Sequence, residues 1–487
     1  MSTTASSAAG VSILVPTELQ GPLLAFLARY AATQSRPCAD PQQLHDAEQT
    51  MADAADQLCA AAMQPIVQKS VSSQEPSARR RSTLLPPALR AFLLPAKRFK
   101  NQGRRPVHLR LSRGPAIRIR VTYYSRNGDR RAHRAHKGGY PALCRLGIFD
   151  RVSPRLASHA ALAVALSGSF EEALEHLRLQ GVSLNVKTLR NLAYRFASRA
   201  RARLRQKAYQ LPSQPQVAGL TVVAQLDGGR ARLRQDKRGR RKKSGRHGYH
   251  TPWREPKLLM IYAVDEQGKR SKAFAPIIDG TFEPLEQSQE IFAQLVGYLR
   301  ALGVKDAKQV VFLGDGAKWI APRIPNLLAD LELRQDQVKV VLDFYHAVEH
   351  LGDVANTQKK WSKEQKQAWV KQQRKRLYTG CVERVLAEVA RLSQGSRSKV
   401  LRREYAYFLA RKEQMRYREL KRAGLPIGSG AVESAIRRVV NLRLKGAGIF
   451  WLQANAAAVL LLRSYAKVGR WRDLTQLALS LDLFLAA

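Results

Sequence analysis

Paired cysteines are what this sequence most plainly lacks. Its four, Cys38, Cys59, Cys144 and Cys381, stand far apart and never in a CxxC spacing. That pattern supports neither a disulfide framework nor a structural zinc site. Acidic side chains are also scarce, 38 Asp plus Glu against 83 Lys plus Arg, for a net charge of +45. A chain so basic calls for a polyanion, nucleic acid first and an anionic membrane surface second. Long apolar runs are missing too. No stretch reaches the ~18–20 residues of a spanning helix, and the N-terminus lacks the charged n-region of a secretory signal. The expected setting is therefore soluble and cytoplasmic, at the nucleoid, with no membrane partner. What the chain does have is a core. Hydrophobic residues make up 45% of its 487 positions, room for two to four domains at ~150 residues each.

Periodicity divides the chain. Residues 1–68 read as an N-terminal helical region, with helical spacing from residue 12 on, and 69–100 as a polar, Pro-containing linker. Residues 101–150 form a small basic β segment. Val107, Leu109 and Leu111 face one way against His108 and Arg110, and Ile117, Ile119 and Val121 repeat this against Arg118 and Arg120. Two strands around a Gly-Pro turn fit the alternation, their arginine face either solvated or set against phosphate. Residues 151–210 are helical. Ser169 caps one helix with Glu172 at the capping-box position, Gly181 stops it, and Asn185 caps the next, whose apolar stripe is Val186, Leu189, Leu192, Ala193 and Phe196. Two short helices across a Gly-containing turn suit a helix-turn-helix. Its second helix would present Lys187, Thr188, Arg190, Asn191 and Arg195 to a DNA groove. An ordinary helical hairpin is the plainer alternative.

From residue 219 the period changes. Strands are expected at "LTVVAQLD", "KLLMIYAVD", "SKAFAPIID", "KQVVFLGD" and "VKVVLD", with helices at "EPLEQSQEIFAQLVGYLRALGV" and "WIAPRIPNLLADL". The order β-β-β-α-β-α-β predicts an α/β fold with a mixed sheet covered by helices. It occupies 219–350, followed by a strand-free, basic helical insertion over 351–425 and a last helical part over 426–487.

Asp227 ends the first of these strands and Asp315 the fourth, between two glycines. Taken singly, an Asp at a strand end is a turn former. In this strand order, however, the two strands can lie side by side and release both carboxylates together. Glu433 begins a helix after a Gly-Ser-Gly turn, one turn before Arg437, and is the third candidate; alone it would be an ordinary dipole-facing Glu. Three clustered carboxylates repel one another. A pair of Mg²⁺ (or Mn²⁺) ions ~3.5–4 Å apart relieves that conflict and serves phosphoryl displacement. The excess of basic residues supplies the complement to a phosphate chain.

These segments resemble an insertion-sequence DDE transposase, most closely the ISKra type. The resemblance rests on "VVAQLDGG", "WREPKLLMIYAVDEQG", "VVFLGDGAKWI", "VVLDFYHAVEHL" and "GSGAVESAIRRVVNLRLKGAGIFW", and spans roughly residues 105–465. It implies an RNase H-like catalytic core, a helical insertion before the Glu-bearing helix, and Asp227, Asp315 and Glu433 as metal-binding catalytic triad. It further implies nicking at element ends and attack of the freed 3′-OH on target DNA. The partners are then double-stranded DNA, as terminal inverted repeats and target, and further copies of the chain in a dimer or larger multimer. Asp343 and His346 match the accompanying D-x-x-H, an accessory pair. The chain departs from relatives in keeping Cys144 alone where they often carry paired cysteines, and in a longer basic loop after Asp227. Two rivals are a transposase-derived DNA-binding protein without catalysis, and a zinc protease read from His346-Ala-Val-Glu349-His350.

Ten Lys or Arg lie between Arg230 and Arg246. Arg238, Arg240, Arg241, Lys242 and Lys243 form its densest part, a DNA clamp beside Asp227 or a solvated, mobile loop. Arg437, Arg438, Arg443 and Lys445 follow Glu433 and are candidates for holding the scissile strand or the target. Trp361 and Trp369 share a helix face, as core or as base-stacking side chains, and Trp451 admits both readings.

Overall fold

The computed structural model describes residues 5–8, 11–75, 99–126, 139–211, 217–237, 239, 245, 247–265, 267–282, 289–316, 323–394 and 396–480. The chain divides into two compact units, Met1–Arg203 with Thr475–Ala487, and Leu204–Leu474. None of the described helices is long and apolar enough to cross a membrane.

The first unit opens on a strand pair, β1 (Ala5–Ala8) and β2 (Val11–Leu14), where helical spacing had been expected from residue 12. Helices α1 (Thr17–Gln34) and α2 (Pro41–Gln74) follow. Six residues assigned to the linker thus continue α2, and most of the rest of the linker lies outside the described residues. Strands β3 (Phe99–Leu109) and β4 (Ile117–Arg126) pair antiparallel. The predicted alternation holds. Val107, Leu109, Ile117, Ile119 and Val121 are buried with Ala60, Val67 and Val71 of α2 in one apolar cluster. Their Arg and His neighbours are exposed.

After the short α3 (Pro141–Arg145) come α4 (Pro154–Leu166), α5 (Phe170–Arg178) and α6 (Val186–Gln206). Ser169 accepts the Glu172 N–H at 2.9 Å, and Glu172 reaches back to the Gly168 N–H. Asn185 accepts the Thr188 N–H at 2.8 Å, supplying a partner that the first turn of α6 otherwise lacks. Leu189, Leu192, Ala193 and Phe196 are buried, whereas Val186 is half-buried.

The second unit is built on a five-stranded mixed sheet. Its strands are β5 (Thr221–Gly228), β10 (Lys257–Val264), β11 (Ile277–Thr281), β12 (Gln309–Gly314) and β13 (Val338–Leu342). The spatial order is β11-β10-β5-β12-β13. β10 is antiparallel to both β5 and β11, while β12 is parallel to β5 and to β13. All eight residues of β10 and all five of β11 are buried, so their apolar runs sit inside a covered sheet rather than at its surface. Helix α7 (Gln289–Ala301) covers part of it with Ile291, Leu295, Tyr298 and Leu299, and α8 (Ile324–Asp330) precedes β13.

Between β5 and β10 the basic loop folds back on itself. Short strands β6 (Ala231–Arg232) and β9 (Trp253–Arg254) pair antiparallel, as do β7 (Gln235–Asp236) and β8 (Tyr249–His250). Arg238, Arg240, Arg241, Lys242 and Lys243 lie between β7 and β8 in the sequence, outside the described residues.

From β13 the chain enters five helices without strands, α9 (Phe344–Asn356), α10 (Lys363–Tyr378), α11 (Val382–Ser393), α12 (Lys399–Ala410) and α13 (Tyr417–Arg422). Helix α14 (Gly430–Ile436) then runs on through a π-helical turn at Arg437–Asn441. Helices α15 (Gln453–Ala466) and α16 (Trp471–Leu479) close the chain. A π turn withdraws carbonyls from regular helical pairing. Arg463, 3% exposed, donates to the Val439 carbonyl at 3.0 Å and also to that of Arg438. Burial, then the nearby Arg443 charge, lowers its pKa to about 10.

Candidate active site

β5 is the central strand, so its C-terminal end sits in the middle of the sheet edge. In the parallel register Gly314 lies opposite Leu226. The next residue of each strand is a carboxylate, and Asp227 and Asp315 therefore leave the sheet side by side. Glu433 comes from the first turn of α14, which packs on β5 and β10. Asp227, Asp315 and Glu433 line one cavity, together with Asp343, Tyr345, His346, Glu349 and Ser429. Burial lifts the Asp227 pKa to about 6, and the charges of Asp315, Glu433 and Glu255 add to the rise; a hydrogen bond from the Gly228 N–H, 2.6 Å, works against it. A carboxylate whose pKa is raised by burial, and further by facing carboxylates, lies in a site short of positive charge. The donors are all hard oxygens, the set that Mg²⁺ or Mn²⁺ prefers.

The turn and helix that carry these carboxylates are held by contacts both local and distant in sequence. The Ser429 hydroxyl donates to Glu433 Oε1 at 2.6 Å. Asp343 is 2% exposed and fully engaged: Oδ1 accepts the His346 N–H at 2.6 Å, and Oδ2 accepts the Ser429 N–H. One buried carboxylate thus caps α9 and anchors the turn that leads to Glu433. Gln225, fully buried in β5 two residues before Asp227, accepts the Val432 N–H at 3.0 Å. It ties the start of α14 to the central strand. At Gly428 an added Cβ would meet the Tyr345 ring at 2.9 Å, so that turn closes only over a residue without a side chain.

Asp315 is gripped from the helical insertion. The Tyr407 hydroxyl donates to the Asp315 carbonyl at 3.0 Å, and Arg411 donates to the Gly316 carbonyl at 2.6 Å. The Arg411 guanidinium lies 4.1 Å from the Tyr407 ring centroid, and His350 stacks on the ring's plane at 3.8 Å. Gly316 has φ +72°, and a Cβ there would come within 2.6 Å of Arg411 Nε. Glycine is needed at that position for both reasons. Not every carboxylate in these strands joins the site. Asp279 in β11 is fully buried and accepts the Tyr298 hydroxyl at 2.7 Å, a structural role within the sheet.

Of the accessory pair, Asp343 is a scaffold and His346 a half-buried wall residue whose Nδ1 lies 3.2 Å from Glu349. His350 turns away toward Glu404, 2.5 Å from its Nδ1. His350, Asp353 and Glu404 are the group of potential metal ligands that this helix brings together among the described residues. His346 and His350, the two histidines of the HxxEH reading, have ring centroids 4.8 Å apart, and their Nδ1 atoms face different carboxylates.

The helix-turn-helix candidates fall on α6. Lys187, Arg190, Asn191 and Arg195 are exposed there, and Thr188 is half-buried. Arg195 also pairs with Asp150. Beyond Glu433, Arg437 and Lys445 are exposed and Arg438 is half-buried against the Ser434 carbonyl at 3.3 Å. Arg443 corrects the expectation for it. It is 5% exposed with its guanidinium 5.1 Å from the Trp451 ring centroid, because the π turn rotates this stretch of helix inward. Trp451 and Trp369 are core residues, and Trp361 packs against Trp369 with ring centroids 5.8 Å apart. Sequence reasoning missed Glu255. This exposed carboxylate lies against Gly228 and feels the Asp315 charge; its only signal was a Glu-Pro just before an apolar strand.

No protein-family model matches the chain, and no curated protein matches it.

Proposed function

We propose that the protein is a DDE transposase of a bacterial insertion sequence, with an RNase H-like core formed by the five-stranded sheet. The observation that carries this reading is the meeting of Asp227, Asp315 and Glu433, from two neighbouring parallel strands and one helix, in a single cavity. In this reading they hold two Mg²⁺ or Mn²⁺ ions. Such ions supply charge stabilisation at the scissile phosphate and activation of the attacking oxygen. The chain's own residues do the rest. Ser429 fixes the Glu433 rotamer, Gln225 and Asp343 hold the helix start to the sheet, and Tyr407 with Arg411 set the height of the Asp315 turn. Asp227 must lose its proton before it can ligate a cation, which sets a lower pH limit near its pKa of about 6. Helices α5 and α6 act as the helix-turn-helix that reads terminal inverted repeats through Lys187, Arg190, Asn191 and Arg195. DNA would be bound by a dimer or larger multimer.

The test is a plasmid carrying the DNA that flanks the gene, incubated with full-length protein and Mg²⁺ or Mn²⁺. Nicking at discrete end positions is expected, and Asp315→Asn abolishes it while DNA binding persists. Nicking that survives Asp315→Asn removes this residue from the site and with it the reading. DNA binding with no cleavage under any divalent ion favours the transposase-derived binding protein instead.

A further inference from the structure

The hairpin after the first catalytic strand carries a surface that the carboxylate site does not use. Along its first strand Ala231 and Leu233 are buried, while Arg232 and Arg234 turn outward and Asp236 is exposed. On the returning strand Trp253 faces Arg232, and Tyr249 faces Asp236. Trp253 is 46% exposed and Tyr249 45%, and Phe450, at 40%, stands 5.3 Å from the Tyr249 ring. Single exposed aromatics are ordinary. Here three lie on one outward face, and two are backed by guanidinium groups. Arg232 sits 4.9 Å from the Trp253 centroid and Arg234 4.5 Å from that of Tyr249, Arg234 also pairing with Asp236.

The face is held rigidly. Arg234 N–H donates to the Trp451 carbonyl at 2.7 Å, and Trp451 N–H to the Arg232 carbonyl at 3.0 Å. It is also close to the chemistry. Gly229 N–H donates to the Pro256 carbonyl at 2.9 Å, so the hairpin rises directly from the residues after Asp227 and returns through Glu255. The sequence that joins β7 to β8 holds the densest run of Lys and Arg in the chain. Flat π faces backed by arginines and flanked by phosphate-neutralising charge are what single-stranded nucleic acid requires. Bases stack on the rings whatever their sequence, and the backbone follows the cations.

We propose that Trp253, Tyr249 and Phe450 form a stacking platform for unpaired DNA bases beside the cut site, with Arg232 and Arg234 bracing the rings. This rests on the strand-cleaving reading for its purpose, since duplex DNA offers no free base face until an end is opened. Its binding can be measured without cleavage. Full-length protein in EDTA is titrated by fluorescence anisotropy against an oligothymidylate of about 16 nucleotides and against a duplex of equal length.

Trp253→Ala is expected to weaken oligothymidylate binding roughly 10-fold or more and to leave duplex binding unchanged. Trp253→Phe recovers most of the loss, and Phe450→Ala repeats the selective defect at a second position. Unchanged oligothymidylate affinity in both Ala variants overturns the proposal, as does an equal loss on both DNAs. Tighter binding of oligouridylate than of oligothymidylate assigns the platform to RNA and overturns it as well. Nicking assays on the same preparations keep the two readings apart. A protein that nicks but shows no selective stacking loses only the platform, and one that stacks but never nicks loses only the transposase reading.

Discussion

At the scale of the residue, Asp227 carries the most information. The folded chain holds its proton up to about pH 6, against 3.8 for a free carboxyl. Protonation is therefore tighter in the folded than in the unfolded state. The metal-free protein loses stability as pH rises from about 4 to about 6 and changes little from this group above that. Asp227→Asn should accordingly raise the melting temperature in EDTA at pH 7.5, by about 1–2 kcal/mol of stability. Mg²⁺ should raise the wild-type melting temperature at pH 7.5 and far less at pH 5. A melting temperature that falls on Asp227→Asn would mean that its carboxylate is favourably paired, not crowded by like charge. Gln225 gives a second prediction. Gln225→Leu leaves the buried Val432 N–H without its acceptor and should cost about 1–3 kcal/mol in denaturant unfolding, with nicking reduced because α14 loses its hold on β5. Asp227, Asp315 and Glu433 were legible in the sequence because each follows a local signal, a strand end or a helix start. Gln225 and Glu255 were not, since their partners lie elsewhere in the chain, 207 residues away in the case of Gln225 and Val432.

At the scale of the element, the sheet was readable because long apolar runs bounded by Gly and Asp leave little choice of period. The stretch that forms β6 to β9 was read as a DNA clamp or a solvated, mobile loop, without paired strands. Its strands are two residues each, too short to display alternation, and the Trp451 backbone that bonds to Arg232 and Arg234 lies more than 200 positions on. Arg443 was misplaced for a related reason: a π turn shifts helical phase, and nothing in "RRVVNLRLK" announces one. The insertion helix α12 offers an element-level test. Arg411→Ala frees the Gly316 carbonyl, and a displacement of about 1 Å at a catalytic group lowers rates by up to about 100-fold. Nicking should fall on that scale while circular dichroism and DNA affinity stay unchanged. Full activity in Arg411→Ala would show that the Asp315 turn holds its own shape.

At the scale of the whole molecule, 83 basic against 38 acidic residues predict DNA binding governed by counterion release. If six to ten phosphates are neutralised, affinity should fall about 10³–10⁵-fold between 50 and 200 mM salt. A flat salt response would remove the phosphate backbone as the main partner. That expectation rests on composition alone, whereas the seating of the insertion on the Asp315 turn was invisible in the sequence. That seating runs through carbonyl oxygens, Asp315 to Tyr407 and Gly316 to Arg411. A carbonyl survives a change of side chain, so outside Gly316, where a Cβ would strike Arg411 and Tyr407, the tie is exposed mainly to changes in the distant helix. If the proposed activity holds, a lineage silencing it has a second route besides losing a triad carboxylate, through harm to a tyrosine or an arginine some ninety positions downstream, in a chain whose three acids still read as intact.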